Sequence, residues 1–128
     1  MYYQYRNMEK LTNKEEEIMQ ILWKMEKGFV NDILEKMPEP KPHYNTLSTI
    51  VRLLEEKGFL AHKSFGKSHQ YYPIVSLEAY RGVFVKDSIK KYFGNSVSNL
   101  VNYFVKEEEL SQTEIDELMK IIENNQKK

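Results

Sequence analysis

Four polar side chains in the middle of the chain share one face of a predicted helix. They are Asn45, Ser48, Thr49 and Arg52. Their i, i+3, i+4, i+7 spacing is that of a single helical stripe. Base edges in the DNA major groove present donors and acceptors that Asn, Ser, Thr and Arg side chains can pair with. The stripe therefore predicts a DNA recognition helix. The alternative is an ordinary solvent-exposed face, which more often carries Glu and Lys.

An apolar face lies opposite these four side chains on the same predicted helix. Its residues are Leu47, Ile50, Val51 and Leu54. This pattern predicts a helix over residues 44–57, ended by Gly58. Two strand-like runs follow at 59–65 and 69–74, and residues 66–68 are expected to join them as a hairpin turn.

Two shorter helices are predicted before the recognition helix. Thr12 and Glu15 have the spacing of a capping box, so a helix should begin there, and Gly28 is expected to end it. A second helix is predicted over residues 30–37, because prolines at 38, 40 and 42 interrupt helical structure. Three helices followed by a two-stranded hairpin are typical of a winged helix-turn-helix head.

The predicted hairpin, or wing, carries side chains suited to phosphate groups. Lys63, Lys67 and Ser68 are expected phosphate contacts, which position a protein on DNA without reading its sequence. Tyr44, at the start of the recognition helix, can either reach a phosphate or pack against the head. Between residues 41 and 72 there are five Lys and Arg residues but only two Asp and Glu residues, although the whole chain has 19 of each charge. Local rather than overall basicity thus favours a nucleic-acid partner.

Nothing in the sequence indicates catalysis or a bound metal. The chain has no cysteine, which excludes disulfides, thiolate metal sites and cysteine nucleophiles. It has no nucleophile elbow, phosphate-binding glycine loop or HExxH motif. His62 and His69 lie on paired strands, but two imidazoles without a third ligand nearby make a poor metal site. We expect no enzyme activity and no cofactor, and we expect Trp23, Tyr71 and Tyr72 to belong to the core.

The segment after residue 75 is predicted to be helical to its end. Ser76 can cap a helix reaching residue 93, and residues 94–96 break it before a second helix. Ser111 and Glu114 form another capping box that opens a third helix. The last two helices carry more apolar residues than a short segment can bury, so we expect a second copy of the chain to cover them. The expected dimerisation residues are Leu100, Val101, Phe104, Ile115, Leu118, Met119 and Ile122.

Four ordered segments together resemble the penicillinase repressor family, that of the BlaI and MecI repressors. The segments are LTNKEEEIMQILW, NTLSTIVRLLEEKGFLAHK, QYYPIVS and LVNYFVKEEELSQTEIDEL, and the likeness covers about residues 11–122. The resemblance implies a bacterial winged-helix repressor that binds inverted-repeat operators in double-stranded DNA as a homodimer formed by its C-terminal helices. It places on the recognition helix and the wing the residues Asn45, Thr46, Ser48, Thr49, Arg52, Lys63, Lys67, Ser68 and His69.

The sequence departs from the family pattern in two places. In the beta-lactam branch, a membrane sensor-protease triggers cleavage of an Asn-Phe bond in the second dimerisation helix. This chain has Tyr103 and Phe104 there, which are the expected cleavage site if a protease or sensor system inactivates it. The copper-responsive branch has a cysteine-rich metal site, which the absence of cysteine excludes.

These interpretations together predict a mainly α protein with a small β-hairpin wing. We expect a flexible N-terminal arm over residues 1–10, a DNA-binding head over 11–75 and a helical dimerisation domain over 76–128. The apolar runs are far shorter than the roughly 20 residues that span a bilayer, and the N-terminus lacks a secretory pattern, so a cytoplasmic location without membrane insertion is expected. The alternative function is a winged-helix module that binds a protein and has no operator.

Overall fold

The computed structural model describes residues 10–126, so nearly all of the expected N-terminal arm lies outside the described residues. Within this range the chain forms six helices and one hairpin, which confirms the predicted fold class. The elements are α1 (Asn13–Met25), α2 (Val30–Lys36), α3 (Tyr44–Glu56), β1 (Leu60–Phe65), β2 (Ser68–Pro73), α4 (Leu77–Tyr92), α5 (Val97–Lys106) and α6 (Gln112–Gln126). The chain divides into two compact units between Phe84 and Val85. None of the helices in the described range is long and apolar enough to cross a bilayer.

The first helix begins at the predicted capping box. The Glu15 N–H donates to Thr12 Oγ1 at 3.2 Å, and the Thr12 N–H donates to Glu15 Oε1 at 2.9 Å. Two of the amides that have no partner within the helix are thereby satisfied. Lys57 Nζ, 2.7 Å from Glu15 Oε2, ties the end of α3 to this cap.

The first helix ends earlier than the sequence predicts. α1 stops at Met25, and Glu26 adopts a φ of 72° while its N–H donates to the Leu22 carbonyl. Gly28 is therefore not the helix stop, which corrects that prediction. Gly28 instead exchanges two backbone hydrogen bonds with Tyr71, of 2.9 and 2.8 Å, and so adds a short bridge to the edge of the wing.

The core of the first unit lies between the three helices and the base of the hairpin. α3 contributes the fully buried side chains of Leu47, Val51 and Leu54, whereas Ile50 is only partly buried. Because this apolar stripe faces the core, helical geometry turns the polar stripe of α3 to the outside. The remaining buried apolar residues of the cluster are Leu11, Ile18, Met19, Leu22, Val30, Ile33, Met37, Phe59, Leu60, Tyr71, Val75 and Tyr80.

The start of α4 is part of the first unit because Tyr80 packs into its core. The Leu11 N–H donates to the Tyr80 hydroxyl at 3.0 Å, and the Tyr80 ring contacts the rings of Trp23 and Phe59. Trp23 itself donates its indole N–H to the Val75 carbonyl at 2.9 Å. The core prediction thus fits Trp23 but is wrong for Tyr72, which is exposed.

The hairpin pairs β1 with β2 in antiparallel register, from Leu60 opposite Pro73 to Phe65 opposite Ser68. Ser68 therefore belongs to the strand, and Gly66 and Lys67 alone form the turn. Gly66 has a φ of 62°, the left-handed conformation that two-residue hairpin turns with a leading glycine require. The short turn holds Lys67 at the tip of the wing.

The second unit contains the end of α4 together with α5 and α6. Ser96 caps α5 by accepting from the Asn99 N–H, and Ser111 and Glu114 form the predicted capping box of α6. Many apolar side chains of these two helices remain exposed in the single chain; Met119 and Ile122, for example, are 56% and 55% exposed. A folded chain rarely leaves so many large apolar residues in water without a partner.

Candidate nucleic-acid interface

The polar stripe of α3 lies on the outer surface of the first unit. Asn45, Thr46, Thr49 and Arg52 are exposed, and Ser48 is half-buried. Tyr44, for which the sequence left two positions open, is 47% exposed at the first turn of the helix. The recognition residues predicted from spacing are therefore together on one accessible helical face.

One member of this stripe has a constrained hydrogen-bonding role. The Thr49 hydroxyl donates to the Asn45 carbonyl at 2.9 Å, so its proton is directed back to the helix. The hydroxyl oxygen can then only accept from a ligand, and the Thr49 methyl group is available for apolar contact. Among base edges, adenine and cytosine amino groups provide such donors and thymine provides a methyl group.

An open groove runs between the start of α2, the polar face of α3 and the wing. Its volume is about 560 Å³. Arg52 and Ser48 line it from α3, and Lys67, Ser68 and His69 line it from the wing. The structure thus brings predicted base-reading and predicted phosphate-binding residues together around one concave surface.

The groove also contains residues that the sequence did not indicate as DNA contacts. They are Phe29, Val30, Asn31, Asp32, Phe65 and Tyr71. The Phe29 N–H donates to the Asp32 carboxylate at 2.9 Å, a hydrogen bond at the N-terminal cap of α2. The Phe29 ring packs edge-on against the Phe65 ring. The only signal for them is the position of α2, because the helix before a recognition helix crosses the DNA backbone in helix-turn-helix proteins.

A short polar chain links α3 to the wing beside the groove. The Glu55 carboxylate lies 2.6 Å from His62 Nδ1, and the imidazole of His62 stacks on that of His69, with ring centroids 4.0 Å apart and planes at 7°. Burial raises the pKa of Tyr71 next to them, and the negative charge of Glu55 adds to this effect. The Tyr71 phenol therefore stays protonated at neutral pH. Among residues 10–126, no group of three or more His, Asp or Glu side chains is placed to hold a metal ion.

The remaining predicted wing contact is exposed on β1. The Lys63 ammonium lies 5.4 Å from the centre of the Phe65 ring, which is a cation–π distance. Lys67 and Arg52 are thus two positive charges that line the groove, and Lys63 is a third, exposed on β1.

The predicted dimerisation and cleavage residues all belong to the second unit. On α5, Val101 is exposed whereas Leu100 and Phe104 are half-buried. On α6, Ile115 is half-buried, and Leu118, Met119 and Ile122 are exposed. Tyr103 and Phe104 lie within α5, with ring centroids 5.4 Å apart, and Tyr103 is the more exposed of the two.

Similarity to characterised proteins extends over both units. The model of the penicillinase repressor family matches residues 11–124. The methicillin resistance regulatory protein MecI of Staphylococcus aureus (strain N315) is 33% identical over 113 residues, which are 88% of this chain and 92% of that protein. The penicillinase repressor of Bacillus licheniformis is 23% identical over 121 residues, which are 94% of each chain.

A solved structure supports the fold of the first unit. The solution structure of the DNA binding domain of the repressor BlaI superimposes with a TM-score of 0.51 and 22% identity, covering 59% of this chain and 93% of that one. This likeness concerns the winged-helix fold. The family model spans nearly all of the described residues, and the identity to MecI is sustained over most of both proteins. The chain therefore belongs to the penicillinase repressor family.

Proposed function

We propose that the chain is a transcriptional repressor that binds inverted-repeat operators in double-stranded DNA as a homodimer. The observation that carries this proposal is the groove in which Arg52 and Ser48 of α3 face Lys67, Ser68 and His69 of the wing. Cations and small polar groups around one concave surface suit a phosphate backbone next to readable base edges. Membership of the penicillinase repressor family supports the same function.

The exposed face of α3 is suited to direct readout. Arg52 can hold a guanine edge with two hydrogen bonds, and Asn45 can pair in the same way with adenine. Thr49 adds an acceptor and a methyl group, because its hydroxyl proton is already directed to the Asn45 carbonyl. Tyr44, Thr46 and Ser48 are assigned to backbone or base contacts along the same helix.

The wing is suited to backbone contacts that do not depend on sequence. Lys63 and Lys67 offer two charges to phosphates, and Ser68 and His69 offer hydrogen-bond donors. Such contacts release counterions from DNA, so the affinity should fall steeply as salt is added.

The second unit is assigned to dimerisation. Leu118, Met119 and Ile122 expose an apolar stripe on α6, and Val101 exposes part of another on α5. A two-fold partner with the same stripes can cover them, and two heads can then bind half-sites about one helical turn apart.

The experiment that tests the function is a gel shift with a duplex of the DNA upstream of its own gene, followed by footprinting. A saturable complex that resists unrelated competitor DNA and weakens with salt is expected. The footprint should show two related half-sites in inverted orientation. If no complex forms even at low salt, the chain is instead a protein-binding winged-helix module.

Inactivation by proteolysis is a separate part of the proposal. The exposed ring of Tyr103 supports cleavage at the Tyr103–Phe104 bond, but this bond lies inside α5. A protease would need that helix to open locally first. Mass spectrometry of the chain from induced cells should find a fragment ending at Tyr103, and Phe104→Pro should alter the cut. A chain that stays intact while transcription is induced would contradict this route.

A further inference from the structure

The stacked histidines of the wing have a charge balance that DNA would change. The His62 ring is hydrogen-bonded through Nδ1 to the Glu55 carboxylate, so one anion already lies beside the pair. The His69 ring lies parallel to it at 4.0 Å, and His69 also lines the groove. A second positive charge on rings this close is unfavourable unless another anion lies beside them.

We propose that a DNA phosphate in the groove is this second anion, and that DNA binding therefore takes up a proton on the His62–His69 pair. The proposal rests on the function proposed above, and it adds that a proton binds together with the DNA. His69 is the phosphate contact in this scheme, and His62 and Glu55 are positioning residues that fix its ring. Imidazole is the side chain whose charge normally changes between about pH 5 and 8, so this is the pH range in which the proposal is tested.

Other charged and titratable groups contact the pair or line the groove together with His69. They are Glu55, Arg52 and Tyr44 of α3, Asp32 of α2, Lys67 of the turn and Tyr71 of β2. Carboxylates, ammonium and guanidinium groups and phenols ordinarily keep one charge state between about pH 6 and 8. Imidazole is the side-chain type in this set whose charge ordinarily changes in that range, so we assign the proton to the histidine pair.

The test measures affinity of the full chain against pH. A fluorescein-labelled duplex of the DNA upstream of its own gene is titrated at constant ionic strength between about pH 8 and about pH 6, and anisotropy gives the dissociation constant. The affinity of the wild type should increase about fivefold per wing as the pH falls. His69→Gln keeps a hydrogen-bond donor but cannot gain charge, so its affinity should stay flat across this pH range.

The third histidine provides a matched control. His43 precedes α3 and, among the described residues, is not one that lines the groove. His43→Gln should keep the pH dependence of the wild type, and circular dichroism should show that both variants are folded.

Each result separates this inference from the function on which it rests. If the wild type binds the duplex with an affinity that does not change with pH, the proton uptake is overturned while DNA binding stands. The same applies if His69→Gln keeps the full pH dependence, or if His43→Gln loses it. No complex at any pH would overturn the proposed function and this inference with it.

Discussion

Arg52 joins the polar face of α3 to the groove, and its substitution should separate base reading from backbone binding. Arg52→Ala should weaken specific binding by about 1–3 kcal/mol and relax base preference at one position of each half-site, if its guanidinium holds a guanine edge. Lys67→Ala, at the tip of the wing, should weaken all sequences alike. Titrations of the operator duplex and of single-base variants measure both effects.

The contrary result for Arg52 has a clear meaning. If Arg52→Ala leaves affinity and base preference unchanged, the side chain serves the protein rather than DNA. An ion pair with Glu55 or Glu56 is the alternative role for Arg52, and the Glu55 carboxylate already pairs with His62. Within residues 10–126, no ion pair of Arg52 competes with a base contact.

Glu15 is a buried carboxylate whose charge contributes to stability. Burial acts to raise its pKa, but the hydrogen bond from Lys57 and those with Thr12 outweigh burial and lower the pKa below its ordinary value. The folded state therefore gains stability from this group above its ordinary pKa and loses it as the pH falls through the lowered, folded-state pKa. Acidification from neutral pH should destabilise the wild type more than Glu15→Gln, as measured by urea unfolding.

Removing the partner of Glu15 should be costly at neutral pH. Lys57→Met leaves the carboxylate, which is 5% exposed, without its counterion, and we expect a loss of about 1–3 kcal/mol in the free energy of unfolding. Lys14→Met is the matched control, because the Lys14–Glu17 pair is on the surface and should contribute under about 0.5 kcal/mol. Equal losses in the two variants would contradict the role given to burial.

At the scale of elements, the start of α1 depends on one hydroxyl group. Thr12→Ala removes the acceptor of the Glu15 N–H and should cost about 1 kcal/mol of unfolding free energy. Thr12→Ser keeps the hydroxyl and should lie near the wild type. A Thr12→Ala variant as stable as Thr12→Ser would show that the tertiary packing of α1, rather than its cap, fixes where the helix begins.

The elements that follow from local chemistry were predictable from the sequence. Capping residues fix the starts of α1 and α6, and the apolar stripe of α3 fixes which of its faces is turned outward. Stripe and cap both depend on residues within four positions of each other, which a sequence displays directly. Hence the sequence alone indicates which residues of α3 are exposed.

Features made by distant residues were not predictable in the same way. Gly28 has the local look of a helix stop, yet its backbone pairs with Tyr71, far along the chain. Tyr72 looks as apolar as Tyr71, but successive residues of a strand point to opposite faces and only Tyr71 reaches the core. The Glu55–His62 contact likewise needs the angle between α3 and β1, which no spacing rule supplies.

At the scale of the whole molecule, the exposed stripe of α6 predicts a dimer that can be broken. Leu118→Lys would place an unpaired charge in the proposed interface, at a cost of several kcal/mol, on the order of 3–5. We expect monomers with weakened operator binding and a folded head. Sedimentation velocity and the gel shift measure these two properties on the same sample.

A charge on the other side of α6 is the control for this prediction. Glu117→Lys changes a neighbouring exposed residue that does not share the stripe of Leu118, and it should leave the dimer intact. If the wild type is already a monomer at micromolar concentration and still binds its operator as one unit, the dimer model is wrong. Truncation of α5 and α6 would then leave DNA affinity almost unchanged.

The two hydrogen bonds between Gly28 and Tyr71 fix the wing at its base. The hairpin is held at its base by this bridge and by the buried ring of Tyr71, and the contact of Phe65 with Phe29 supports it again before the turn at Gly66 and Lys67. A hairpin fixed at its base moves least near the base and most at its turn. In the proposed DNA complex, Lys67 at the tip is therefore the wing residue best able to follow a phosphate that shifts with local groove width, while the His62 ring stays in contact with Glu55 of α3.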